Sequence, residues 1–98
     1  MNADDVWEKV RLDLGNRRET PGGWKFGDLL IEPPQRRKYE ETDGSTSTYW
    51  VVLVEVLADG GDGYHIVFDE NDCQFGLATG GVVVGWYGTS LMKTIEGM

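Results

Sequence analysis

Thr46 to Ala58, TSTYWVVLVEVLA, is the longest apolar and β-branched run in the chain, and its reading decides the fold. Taken as a strand, it puts Trp50, Val52, Val54 and Val56 on one face and Tyr49, Val51, Leu53 and Leu57 on the other, with Glu55 as its only charge. A strand wetted on one side alternates apolar with polar; this one is apolar on both. It is therefore expected inside a sheet, with cover over each face. It is too short to cross a bilayer as a helix, because the uninterrupted apolar part stops at Glu55.

Upstream, Ala3 to Leu14 reads as a helix. Ala3, Val6, Trp7, Val10 and Leu14 share a stripe roughly 100° wide, with Asn2 as cap, Asp4 and Asp5 in the first turn and Gly15 as stop. Thr20-Pro21-Gly22-Gly23 reads as a turn, and Trp24 to Ile31 as a first strand that Glu32-Pro33-Pro34 must end, since proline removes ladder donors. Gln35 to Ser45, QRRKYEETDGS, is either a loop or a ragged edge strand.

Downstream, strand-like runs alternate with turn chemistry at short spacing. Asp59 to Gly63 reverses the chain, Tyr64 to Asp69 returns, Asp69 to Asp72 turns again, and Gln74 to Thr79 follows. Gly80-Gly81 suits a two-residue hairpin, and Val82 to Tyr87 closes the meander. Ser90 caps a last helix with a stripe of Leu91, Met92, Ile95 and Met98. The expected fold is one α+β domain over residues 1–98. It has an N-terminal helix, an antiparallel, mostly meander sheet of about five strands and a short C-terminal helix.

The net charge of -8 is unevenly spread. Residues 1–38 hold eight of the nine Lys and Arg against seven acids, whereas residues 39–98 hold ten acids against Lys93 alone. That balance disfavours nucleic acid or anionic lipid as a partner, because phosphate contacts need clustered bases. The run Arg36, Arg37 and Lys38 is read as solvated surface. A lone cysteine, Cys73, and the polar start MNADDVW point to a reducing cytoplasm.

Few constellations carry chemistry. His65 has no evident mate, and Cys73 in the adjacent turn lies too far from it for a nucleophile pair, so Cys-His catalysis is not expected. Neither DGGDG nor DENDC has the register of a calcium loop, one His and one Cys are short of a zinc set, and no phosphate-cradling signature precedes a helix. No metal and no cofactor are expected.

Meander order brings Glu40, Glu41, Asp43, Asp69, Glu70 and Asp72 to one end of the sheet, a field able to steer a basic protein partner. In size and charge the chain resembles nuclease-toxin immunity proteins and other acidic inhibitors, which block a basic active site by occupying it. That resemblance implies a small protein-binding inhibitor rather than an enzyme. The competing expectation is a ligand-binding or enzymatic pocket lined by Trp50, Tyr64 and Trp86 beside His65. A homodimer is also expected if two short helices leave one apolar face of the central strand uncovered.

Overall fold

A computed structural model describes residues 1–20 and 23–98 of the chain. Pro21 and Gly22, read above as the middle of a turn, lie outside the described residues.

Helix α1 spans Ala3–Leu14, and its start is fixed reciprocally: the Asn2 side chain accepts from the Asp5 N–H at 3.0 Å while the Asp5 carboxylate accepts from the Asn2 N–H at 2.9 Å. Five strands follow in sequence order, β1 Leu30–Glu40, β2 Thr46–Val56, β3 Asp62–Asp69, β4 Gln74–Thr79 and β5 Val82–Trp86. Each is antiparallel to the next. Helix α3, Leu91–Glu96, follows β5, with the Ser90 hydroxyl accepting the Lys93 N–H at 3.1 Å. A second contact docks it: the Asp13 carboxylate of α1 accepts the Met92 N–H at 3.1 Å, which ties the two helix ends together. Helices at both ends around an antiparallel meander make the α+β arrangement that the hydrophobic pattern predicts.

The segment before the central strand departs from expectation. Phe26–Leu29, inside the expected first strand, form a single helical turn, α2, that buries Phe26 and Leu29. The strand then starts at Leu30 and is not ended by Pro33 and Pro34 but continues to Glu40. The reason lies in the pairing: Leu30 faces Leu53 and the next partner pair is Gln35 with Val51, so residues 31–34 are looped out of the ladder. Prolines are tolerated there because no N–H is required of them.

The sheet curls on itself. Glu40 pairs in parallel with Val82, and its N–H donates to the Gly81 carbonyl at 2.7 Å, closing the five strands into a barrel. Gly80 and Gly81 have φ of 59° and 81°, the two left-handed residues that a tight hairpin of this hand demands.

Two apolar clusters result. One lies under the helices and joins Val6, Val10 and Leu14 of α1 to Trp50, Leu53, Ile66, Phe68, Phe75 and Leu77 of the sheet and to Leu91 and Ile95 of α3. The other, Tyr39, Val67, Ala78 and Val83 with Tyr49 and Trp86 against them, draws on all five strands and fills the concave side. Val51, Val52, Leu53 and Val54 are all buried. Strict alternation misplaces Leu53, however. Val51 faces Val67 and Leu53 faces Ile66, so Val52 is an inserted bulge residue and Leu53 turns to the same side as Trp50. Closure of the barrel covers the second face of β2 within one chain.

Candidate functional site

The turns Glu41–Ser45 and Glu70–Cys73 lie at the same end of the β2–β3 pair, because Trp50 is opposite Phe68 and β2 enters where β3 leaves. Their carboxylates are held by local bonds. Asp43 accepts from the Ser45 N–H at 2.9 Å and the Ser45 hydroxyl at 2.6 Å, and these bonds hold its carboxyl below the usual range. Asp69 is buried and accepts the Asn71 N–H at 3.0 Å. Glu41 accepts the Tyr49 hydroxyl. Burial raises the Tyr49 pKa, and the bond to Glu41 adds to the rise, as do the charges of Glu41 and Asp69. Trp86 stands edge-on to Tyr49 with ring centroids 5.1 Å apart.

These donors are neutral, so Glu41, Asp43 and Asp69 are oriented without losing their charge. Glu70 differs: Arg36 of β1 pairs with it at 2.9 Å and lies 4.5 Å from the centroid of the Trp50 ring. Glu40 sits at the seam where β1 meets β5, beside Gly81. Asp72 is exposed, next to the exposed thiol of Cys73, whose φ is 50°. The bases Arg36, Arg37 and Lys38 are exposed along β1 opposite Trp50, Tyr49 and Thr48, so this end of the barrel carries acids in its turns and a basic strip on its flank.

The aromatic set is divided by the sheet. Trp50 and Tyr64 belong to the cluster under the helices, and the buried indole N–H of Trp50 has no acceptor among the described residues. Trp86 packs against the inner cluster, where its ring covers Gly76 so closely that a Cβ there would come within 2.6 Å of it.

His65 has mates that the sequence does not announce. Its Nδ1 is 2.9 Å from the Tyr39 hydroxyl and its Nε2 is 3.2 Å from the Asp62 carboxylate. Asp62 and His65 are three apart and would lie on opposite faces of a regular strand. Their partners Val56 and Val54 are only two apart, so β3 holds an extra residue that turns Asp62 toward His65. Tyr39 reaches His65 across β2 because the sheet curls.

Burial is the main cause pushing the Tyr39 hydroxyl up to about 12, opposed by the Arg37 charge and assisted by Asp62. The Asp62 carboxylate only accepts, so a neutral ring carries its hydrogen on Nε2 and its Nδ1 accepts from the Tyr39 hydroxyl. Both ring nitrogens are therefore engaged by neighbouring side chains, which fixes the orientation of the ring.

Among the described residues no three His, Cys, Asp or Glu side chains converge as a metal set, and no helix is long and apolar enough to cross a membrane. Compared with protein-family models, with curated proteins and with solved structures, the chain matches none.

Proposed function

We propose that this chain is a small acidic binding domain that captures a basic protein surface, in the manner of an inhibitor that occupies its partner's site. What supports this most is the charge on one end of the barrel: two adjacent turns carry carboxylates held by neutral donors, in a chain of net charge -8. Fixed charges of one sign raise the encounter rate with an oppositely charged surface and set its approach. The basic strip on β1 then defines register, because a partner placing its own bases on the turns meets repulsion if it shifts toward Arg37.

The test is kinetic. Purified basic domains, ribonucleases among them, are passed over the immobilised chain at several salt concentrations. The association rate of a true partner falls roughly tenfold or more between about 20 and 150 mM salt. A triple variant Glu40→Gln, Asp43→Asn, Asp72→Asn lowers that rate while the thermal midpoint stays put, because these three carboxylates are exposed. Association indifferent to salt and to the triple variant overturns the reading.

A further inference from the structure

At the far end of β2 from the acidic turns lies a cavity of about 220 Å³ that the charge pattern gives no hint of. Its wall is Trp24, Leu29, Glu55, Ile95, Glu96 and Met98, with Thr20 at the rim. Four of these are apolar, two are carboxylates, and among the described residues no base lines it.

The walls are held in place by bonds outside the cavity. Thr20 and Trp24 pin each other: the Thr20 N–H donates to the Trp24 carbonyl at 2.7 Å and the Thr20 hydroxyl oxygen accepts the Trp24 N–H at 3.1 Å. The Trp24 side chain is nonetheless 52% exposed, a large aromatic surface left open at a concave site. Glu55 is a partly buried acid near the end of an apolar strand, and its carboxylate accepts the Tyr64 N–H at 3.3 Å. Gly63 gives it room, since a Cβ there would come within 2.1 Å of the Glu55 oxygen. Glu96 sits in the last turn of α3, and neither it nor Glu55 has an ionic partner among the described residues.

Two unpaired carboxylates and an open indole facing an apolar floor form a receptor for a cation on an apolar stem. Trp offers the strongest ring face to a cation, and the carboxylates supply the counter-charge. The volume falls below the roughly 300–1,000 Å³ of pockets for drug-sized ligands, so the occupant is one side chain. Leu57, two residues on from Glu55 and on the same side, is 46% exposed and extends the apolar surface beyond the cavity as the rim of a larger contact.

We infer that this cavity is an anchor subsite for a lysine or arginine side chain of a partner polypeptide. The stem lies on Leu29, Ile95 and Met98, and the cation is taken by Glu55, Glu96 and the Trp24 ring. The inference rests on the proposed basic partner for the source of that side chain, but not on the acidic turns.

The test follows the Trp24 indole and the Ile95 and Met98 methyl resonances by NMR, assigned with Trp24→Phe. The full chain is titrated with acetyl-Ala-Arg-Ala-amide, its lysine and norleucine counterparts, and tetramethylammonium. The arginine or lysine peptide moves these signals saturably at millimolar concentration and the norleucine peptide does not. The double variant Glu55→Gln, Glu96→Gln weakens binding at least tenfold, with Glu96→Gln alone in reserve should the double variant melt early. The triple variant at residues 40, 43 and 72 leaves this titration unchanged, so failure of the subsite and failure of the turn surface are separable. No saturable shift with either basic peptide overturns the inference, as does tetramethylammonium binding equally well, which would mark a site for free small cations.

Discussion

The two faces of the sheet are both buried, yet they are built by different means. The helix-covered face is filled by aliphatic and aromatic side chains from segments far apart in sequence: α1, α2, three strands and α3. The concave face is covered by closure of the barrel and admits polar groups, with Tyr39, His65 and Asp62 joined in a row beside Val67, Ala78 and Val83. Helices can be placed at whatever distance the side chains need, whereas a five-stranded barrel has a fixed small radius. That is why the concave face needs Gly76 under Trp86 and the two bulges, one at Val52 in β2 and one in β3 between Asp62 and His65. Stability should therefore depend mostly on the first face, and local arrangement on the second.

Phe68 and Val67 are neighbours on opposite faces and test this most sharply. Phe68 is 2% exposed and stacks on Phe75 with centroids 4.9 Å apart. Phe68→Ala should cost about 3–5 kcal/mol, a large part of the roughly 5–15 kcal/mol that holds a domain of this size. Val67→Ala on the concave side should cost about 2 kcal/mol, fewer methyls being lost. Urea unfolding of both variants measures the ratio. Equal losses would mean that the barrel interior, not the helix-covered face, is the principal core.

Much of the first face was legible in the sequence. Helix caps at Asn2 and Ser90, the apolar stripe of α1 and the turn residues of the meander act within a few residues of one another, so local pattern carries them. What was not legible depends on pairing. Nothing local at Pro33-Pro34 announces that four residues leave the ladder while the strand goes on. The bulge at Val52 that reverses Leu53, and the one that turns Asp62 to His65, are properties of two strands together. The candidate acids were legible as residues. That Glu70 is taken by Arg36 from 34 positions away was not, nor was the meeting of Trp24, Glu55 and Glu96 from a loop, a strand and a helix at one cavity.

Tyr39 sharpens the comparison from the concave side. Tyr39→Phe keeps the ring but leaves the His65 Nδ1 without its donor, at a cost of about 1 kcal/mol near neutral pH. The larger signature is in alkali. A tyrosine in the unfolded chain releases its proton near 10, whereas the folded Tyr39 holds it to about 12. The unfolded state thus loses its proton first, so this contribution is intact below about pH 10 and is lost as pH rises through about 12. Urea midpoints between pH 9 and 11.5 should fall less steeply in Tyr39→Phe than in the parent. Some slope should survive from Tyr49, whose hydroxyl is also raised by burial. Identical slopes would mean that Tyr39 reaches water readily and that the concave face is open.

The smallest effect belongs to the Arg36–Glu70 pair, where the helix-covered face meets solvent. Both side chains are partly exposed, so Glu70→Gln should cost about 0.2–1 kcal/mol at low salt, and that difference should vanish in high salt. Arg36→Ala should cost more and keep most of its cost in salt, because its stem and guanidinium cover the Trp50 ring, which is otherwise the edge of the apolar cluster. Thermal midpoints of the two variants at low and high salt separate the two contributions. If both variants lose the same amount and both recover in salt, Arg36 acts only as a charge, and the helix-covered face ends at Trp50 without it.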